Sequence, residues 1–197
     1  RVVRVPLSVD AEAGYADDLE EVAELARRLA DAGAVGVNLE DGAAPPERLC
    51  AKIEAAKRGA RRAGVDLFVN ARTDVVLRGL VPAERAVDEI VRRAALYRDA
   101  GGDGIFAAKL AVPEAVRAVA AAVAPLPLNV LVMPGLPPAG ELRALGVRRL
   151  SAGSTIAADA LGLARRLATG FLADGRSEAL FDGPVEYGVM NGLLAGR

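Results

Sequence analysis

Residues 33–74, GAVGVNLEDGAAPPERLCAKIEAAKRGARRAGVDLFVNARTD, contain the pattern that the rest of the chain repeats. A short β-rich run covers 35–39, a helical run covers 46–63, and a second short β-rich run covers 67–71. Gly64 closes the helical run, as a C-terminal glycine cap would. Strand, helix and strand in this order predict two parallel strands joined by a crossover helix. We interpret the strands as apolar throughout, as expected where both faces of a sheet are buried.

The same alternation extends in both directions and produces six βα units. The predicted strands cover 2–9, 35–39, 67–71, 104–107, 128–132 and 147–150, and the predicted helices cover 19–32, 46–63, 82–100, 113–123, 139–145 and 156–173. No glycine-rich nucleotide-binding loop follows a strand. We therefore expect an α/β fold of the (β/α)8 TIM barrel type as a single domain over 1–197. Such barrels usually take about 250 residues, so we expect the first two βα units to be absent from this chain.

The composition excludes several kinds of site. The 197 residues include no histidine and one cysteine, Cys50, so a histidine triad, a multi-cysteine zinc site and an intrachain disulfide are ruled out. The net charge of −1 offers no electrostatic attraction for nucleic acid or an acidic membrane. No apolar run reaches the roughly 18 residues of a spanning helix. We expect a cytoplasmic protein that binds neither nucleic acid nor membranes.

Polar side chains stand at the ends of the predicted strands, where a barrel places its chemistry. Asp10 and Glu12 lie two residues apart and face the same side, and Glu40 ends the second strand. Carboxylates held together repel each other, and a hard cation relieves that repulsion. Without histidine or thiolate ligands, this set suits Mg²⁺ or Mn²⁺ rather than zinc. Arg72, at the third strand end, is suited to hold a substrate carboxylate, so the pattern predicts a metal site beside an arginine clamp.

The strand-end acids and several other polar or reactive residues also have structural interpretations. Strand-end acids often cap the helix that follows. Tyr15 either donates to a substrate or packs, Cys50 is expected to be a packed thiol, and Lys109 an exposed amine. Asp74 is expected to support the site or to cap a helix, and Arg149 to face solvent or a helix.

Several motifs in order resemble the isocitrate lyase/phosphoenolpyruvate mutase superfamily. They are Asp-x-Glu-x-Gly-Tyr at 10–15, Gly-Val-Asn-Leu-Glu-Asp-Gly at 36–42, Asn-Ala-Arg-Thr-Asp at 70–74, and the segments 100–106, 127–130 and 145–154. The resemblance runs from about residue 5 to residue 194. It is specific for the superfamily but not for a substrate, because members include mutases, lyases and hydrolases.

The resemblance implies a 2-oxo acid bound to Mg²⁺, with the metal stabilising an enolate or enolate-like state. By this resemblance, Asp10 is the principal metal ligand, and Glu12 and Glu40 hold the metal directly or through water. Arg72 binds the substrate, and Asn129 is a polar substrate contact. The superfamily's terminal helices often swap between subunits, so we expect a homo-oligomer, a dimer or tetramer, in which 156–194 are exchanged.

Two segments depart from the superfamily pattern. Isocitrate and methylisocitrate lyases carry a Lys-Lys-Cys-Gly-His loop after the Glu-Asp strand, where this chain reads DGAAPPE at 41–47. The departure disfavours isocitrate cleavage. Mutases carry a histidine-containing segment where this chain has AAK at 107–109, which also speaks against phosphonopyruvate mutase activity.

We predict a Mg²⁺-dependent lyase or mutase-like enzyme that acts on a small 2-oxo or 2-hydroxy carboxylic acid, with Asp10, Glu12, Glu40 and Arg72 as its catalytic residues. One alternative is a catalytically silent barrel that binds an acid ligand or serves as an assembly subunit. Another is an unrelated metabolic barrel such as a phosphosugar isomerase, for which residues 151–154 offer a weak phosphate site.

Overall fold

The computed structural model describes residues 4–195, apart from the side chain of Leu194. The described chain divides into two compact units, Val5–Ser151 and a unit formed by Arg4 and residues 152–195. The first unit contains the strands β1 Ser8–Asp10, β2 Gly36–Glu40, β3 Phe68–Thr73, β4 Gly104–Ala107, β5 Leu128–Leu131 and β6 Val147–Ser151. Its helices are α1 Leu19–Asp31, α2 Pro46–Arg62, α3 Val75–Arg78, α4 Ala86–Asp99, α5 Pro113–Val123 and α6 Ala139–Ala144. The second unit contains α7 Thr155–Asp174 and α8 Tyr187–Leu194.

The six strands form one parallel sheet in chain order, β1-β2-β3-β4-β5-β6. The sheet is curled, because Arg149 on β6 reaches Asn38 on β2 with an Nη1–Oδ1 distance of 3.2 Å. The α/β fold with a parallel half-barrel is therefore confirmed. The absence of two βα units from this chain and the single-domain boundary stay predictions.

The strands are not apolar throughout, and that interpretation of the sequence was wrong. In β2, Val37 and Leu39 are buried, whereas Asn38 and Glu40 point to the opposite face and are partly accessible. In β3 and β5, Asn70 and Asn129 lie on the same face as Asn38, and both are buried. The apolar set packs against helices and the polar set lines the concave face, because side chains of a strand alternate between its two sides.

Two predicted elements differ from the structure by more than two residues at one end. The first strand was predicted over 2–9, but β1 covers only Ser8–Asp10; residues 2–3 lie outside the described part of the chain. The helix predicted over 82–100 begins with a 3₁₀ turn, Ala83–Arg85, and its α-helical part starts at Ala86. The four-residue helix α3 was not predicted, because a single turn has no measurable periodicity.

Helices α1 and α2 pack closely beside β1 and β2, the strands whose ends carry the predicted metal ligands. Asp18 caps α1 by accepting the N–H groups of Glu20 and Glu21. The contact between the two helices is made of small side chains, and a Cβ at Gly59 would lie 1.8 Å from the Ala23 carbonyl oxygen. This close approach brings the backbones of the two helices into direct contact, and a larger residue at position 59 would push them apart.

The C-terminal unit is helical and exposes apolar side chains. Within the described residues of α7, none is buried, and the exposed set includes Ile156, Leu161 and Leu172. Across residues 4–195, no helix combines the length and the apolar character needed to cross a membrane.

Candidate active site

Three asparagines form a hydrogen-bonded layer across the concave face of the sheet. Asn70 Nδ2 donates to Asn38 Oδ1 and to Asn129 Oδ1, both at 3.0 Å. Asn70 on β3 and Asn129 on β5 are separated by β4, which carries Gly104 opposite Asn70. A Cβ at Gly104 would come within 3.1 Å of Asn70 Oδ1. The glycine therefore leaves room for the side-chain amide of Asn70.

The amide of Asn129 is engaged within this layer. Ser151 Oγ donates to Asn129 Oδ1 at 3.1 Å, and Asn129 Nδ2 donates to the Arg149 carbonyl at 3.3 Å. Asn129 is completely buried, and its predicted contact with substrate stays a prediction. Arg149 was expected in solvent or against a helix, and that expectation was wrong. Its side chain lies on the concave face, because its register opposite Asn129 places it there.

The turn after β1 holds the first two predicted metal ligands in a strained backbone. Glu12 and Tyr15 have φ angles of 47° and 54°, in the left-handed region that residues other than glycine rarely adopt. The Glu12 N–H donates to Asp10 Oδ1 at 3.1 Å, and the Tyr15 hydroxyl donates to the Asp10 carbonyl at 3.4 Å. From α2, Lys52 Nζ donates to the Ala13 carbonyl at 2.6 Å. Backbone strain held in this way is frequent at functional sites.

Glu40 and Arg72 form an ion pair beside that turn. They are opposite each other in the register of β2 and β3, and Arg72 Nη1 lies 2.9 Å from Glu40 Oε2. The Glu40 N–H donates to the Glu12 carbonyl at 2.8 Å, and the Arg72 guanidinium carbon lies 5.6 Å from the centre of the Phe106 ring. The structure thus places Asp10, Glu12, Glu40 and Arg72 at neighbouring strand ends.

The charges at this edge of the sheet perturb one another. Burial raises the pKa of Glu40; the Arg72 charge opposes that rise, and the negative charges of Asp74, Asp10 and Glu12 add to it. Burial alone would lower the pKa of Arg72. The hydrogen bond and charge of Asp74, together with the charge of Glu40, outweigh burial, so the pKa of Arg72 is raised. The edge therefore carries surplus negative charge that a cation would relieve.

The three carboxylates do not form a closed metal-binding cluster in this structure. Among residues 4–195, no group of three or more acidic or cysteine side chains is close enough to hold a metal ion. Helix capping does not explain these acids either, because α1 is capped by Asp18 and α2 begins after Pro45 with no side-chain cap within the described chain. The donor set fits a hard cation in its chemistry, and the metal assignment stays a prediction.

A buried network lies behind Arg72. Asp74 supports Arg72, one of the two roles expected from the sequence, and makes no side-chain helix cap; Asp41, Arg93 and Tyr97 were not predicted. Asp74 Oδ1 accepts from Arg72 Nε at 2.8 Å, and the Asp74 N–H donates to Asp41 Oδ1 at 2.9 Å. Asp41 Oδ2 accepts from Arg93 Nη1 at 2.8 Å and from the Tyr97 hydroxyl at 2.6 Å. Two spacings in the sequence could have indicated this network. Asp74 is two residues from Arg72, and Arg93 and Tyr97 are four apart on one helix face.

Cys50 and Lys109 take no part in the ion pairs at this edge. Cys50 packs against the core, and burial raises the pKa of its thiol, which agrees with the predicted packed cysteine. Lys109 is exposed, as expected, in a left-handed conformation with φ 63°. Thr73 Oγ1 is buried and has no hydrogen-bond partner among the described residues.

Comparisons with known proteins agree with the motifs. The family model described as phosphoenolpyruvate phosphomutase matches residues 1–172. The 2-methylisocitrate lyase of Aeropyrum pernix is 40% identical over 143 residues, which cover 66% of this chain and 43% of that enzyme. The chain spans about half the length, or less, of the curated relatives it matches.

Solved structures share the fold. A protein of Burkholderia cenocepacia described as a lyase or mutase superposes with a TM-score of 0.84 at 34% identity, covering 98% of this chain and 70% of that one. Phosphonopyruvate hydrolase in complex with oxalate and Mg²⁺ superposes with a TM-score of 0.79 at 24% identity over 98% and 69% of the two chains, which shows a common fold. The alternative of an unrelated metabolic barrel is therefore wrong. The chain belongs to the phosphoenolpyruvate phosphomutase family, whose named relatives include lyases and a mutase.

Proposed function

We propose that this chain belongs to a Mg²⁺-dependent enzyme that cleaves or rearranges a small 2-oxo or 2-hydroxy carboxylic acid through a metal-stabilised enolate. The observation that carries the proposal is the Glu40–Arg72 pair, which lies beside Asp10 and Glu12 at the carboxyl ends of β1, β2 and β3. A cation site next to an anchored arginine suits a ligand that carries a carboxylate and an adjacent carbonyl oxygen.

The acidic side chains would hold the metal. Asp10, Glu12 and Glu40 supply only oxygen donors, which Mg²⁺ prefers, and Mn²⁺ would be accepted by the same set. When bound, the metal would supply Lewis-acid stabilisation of the negative charge that develops on the ligand oxygen. The pKa of Glu40 is raised by burial and by neighbouring acids, so a nearby cation would favour its ionised form.

Arg72 would bind the carboxylate of the substrate. Its Nε is held by Asp74 and its Nη1 by Glu40, so the plane of the guanidinium is set before a ligand arrives. Such preorganisation favours the bidentate geometry in which arginine binds carboxylates. Tyr15, whose hydroxyl contacts the Asp10 carbonyl, and Asn129 are proposed as further substrate contacts.

Titration calorimetry on the full-length protein tests the binding site. Oxalate, which resembles an enolate and accompanies Mg²⁺ in phosphonopyruvate hydrolase, is expected to bind only when Mg²⁺ is present. Asp10→Ala should abolish that binding without unfolding the protein. Asp66→Ala is the matched control, because its side chain is 98% exposed and precedes β3 at the opposite end of the sheet. Unchanged oxalate binding in Asp10→Ala would refute the metal assignment.

A substrate screen tests the reaction class. Oxaloacetate, phosphonopyruvate and methylisocitrate are the natural candidates, because relatives act on such acids according to their names. Turnover of one of them that depends on Mg²⁺ and is lost in Arg72→Ala is the expected result. Metal-independent turnover would contradict the proposed chemistry.

A catalytically silent acid-binding barrel is the second candidate. It is favoured by the lack of a closed three-acid cluster among residues 4–195 and by the missing cysteine and histidine of the 41–47 loop. It predicts oxalate binding without turnover of any acid in the screen.

We also propose that the protein is a homo-oligomer in which 156–194 pack against another subunit. The exposed apolar side chains of α7, Ile156, Leu161 and Leu172 among them, support this arrangement, because large exposed apolar surfaces usually mark interaction sites. Size-exclusion chromatography with light scattering should give a mass above that of one subunit, and a stable monomer would refute the proposal.

A further inference from the structure

Asp41 is a buried carboxylate on the far side of the sheet from the proposed metal site. It follows Glu40, and its side chain turns toward α4 rather than the concave face. Its side chain has no exposure to solvent, and both of its oxygens accept hydrogen bonds from buried groups. Burying a charge is costly unless it is paired and hydrogen-bonded, so this arrangement requires all of its partners.

The partners of Asp41 come from two places. On Oδ2, Arg93 and Tyr97 donate from α4 at 2.8 and 2.6 Å. Arg93 is itself held by Glu89 one turn earlier, at 2.7 Å. On Oδ1, Asp41 accepts the Asp74 N–H at 2.9 Å. One carboxylate therefore ties the outer helix layer to the residue after β3.

Asp74 passes this constraint to the arginine. Its backbone is held by Asp41, and its side chain is fully buried between Arg72, at 2.8 Å, and Arg78, at 3.0 Å. Because the Asp74 carboxylate holds Arg72 Nε, the position of Asp74 determines how the guanidinium is oriented toward Glu40 and the concave face.

We propose that Asp41, clamped by Arg93 and Tyr97, is a positioning residue that orients the Arg72 guanidinium through Asp74 and so sets the affinity for the anionic ligand. The part about ligand affinity rests on the proposed function of Arg72. The part about orientation does not, and the two are tested separately.

The chain supplies a matched control in Asp103. Its Oδ2 accepts the Val69 N–H of β3 at 2.7 Å and pairs with Lys57 of α2 at 2.6 Å. Like Asp41, Asp103 joins a backbone N–H at the same strand to a helix cation, although its side chain is 34% exposed and that of Asp41 is fully buried. It does so at the opposite end of β3 from Arg72.

The experiment compares Asp41→Asn, Tyr97→Phe and Asp103→Asn in the full-length protein. Asp41→Asn replaces one acceptor oxygen with an NH₂ group, so either the Asp74 N–H or the α4 donors lose their acceptor. Tyr97→Phe keeps the ring and removes one donor, and it carries the test if Asp41→Asn fails to fold. The first readout is hydrogen exchange of the Arg72 Nε–H by NMR, with the signal assigned by its loss in Arg72→Lys. The second is oxalate affinity in the presence of Mg²⁺.

We expect faster Arg72 Nε–H exchange in Asp41→Asn and Tyr97→Phe, and parental exchange in Asp103→Asn. Oxalate affinity should fall by roughly 10- to 100-fold in Asp41→Asn, by analogy with residues that orient metal ligands. It should fall by less in Tyr97→Phe and not at all in Asp103→Asn. Equal Arg72 exchange in the Asp41→Asn and Asp103→Asn proteins would overturn the positioning role. If the parent protein binds no oxalate, the proposed function fails, and the exchange measurement alone still decides the orientation of Arg72.

Discussion

Gly59→Ala tests the close contact between α1 and α2. A Cβ at this position would lie 1.8 Å from the Ala23 carbonyl oxygen, 2.6 Å from its carbon and 2.8 Å from the Ala23 Cα. All three atoms belong to the backbone of α1, so no side-chain rotation relieves the clash. Since real Cβ atoms essentially never come within 3.0 Å of another heavy atom, the helices must separate by at least about 1.2 Å.

The size of the effect follows from two opposing contributions. Alanine stabilises a helix interior by about 1 kcal/mol relative to glycine. Overpacking of a core costs about 1–3 kcal/mol, and a clash with a rigid backbone belongs at the upper end of that range. We expect a net loss of about 2 kcal/mol, equivalent to a Tm lower by about 4–8 °C for a protein of this size.

Urea and thermal unfolding followed by circular dichroism measure this loss. Gly140→Ala is the control, because Gly140 is also helical, lies in the same compact unit, and has open space where a Cβ would be placed. It should be neutral or stabilising by up to about 1 kcal/mol. If Gly59→Ala is as stable as the parent, the close contact between α1 and α2 is refuted.

Three further predictions address charge, polarity and reactivity. The hydrogen bond from Arg92 lowers the pKa of Glu89 from 4.5 to about 2, so Glu89 stabilises the fold above pH 4.5 and loses that contribution as the pH falls toward 2. Glu89→Gln should therefore lower the Tm at pH 7. A Tm difference between parent and variant that does not narrow below pH 4.5 would contradict this. Asn129→Ala removes the buried acceptor of Asn70 Nδ2 and should cost about 1–3 kcal/mol in urea unfolding; an unchanged stability would show that the asparagine layer does not form. Burial raises the pKa of the Cys50 thiol, so Ellman's reagent at pH 8 should modify Cys50 more slowly in native than in unfolded protein, and equal rates would argue against packing.

Much of the fold and part of the site could be predicted from residue order. Hydrophobic periodicity located all six strands and their long helices, because period and end signals are local properties. The strand ends also identified Asp10, Glu12, Glu40 and Arg72 as neighbours, because the carboxyl ends of parallel strands meet at one edge. The alternation of Asn38 and Asn70 with buried residues was present in the sequence but was read as an apolar strand.

What the sequence determined by itself is the order of βα units, the family, and an oxygen-only set of possible metal ligands, since these depend on residue identity and spacing. What only the tertiary structure decided is which groups contact one another. The Asp41–Arg93 pair joins residues 52 positions apart, and the Asn70–Asn129 bond joins two strands that are separated by a third. Such contacts depend on how the helices and strands close upon one another in space, which no local pattern encodes.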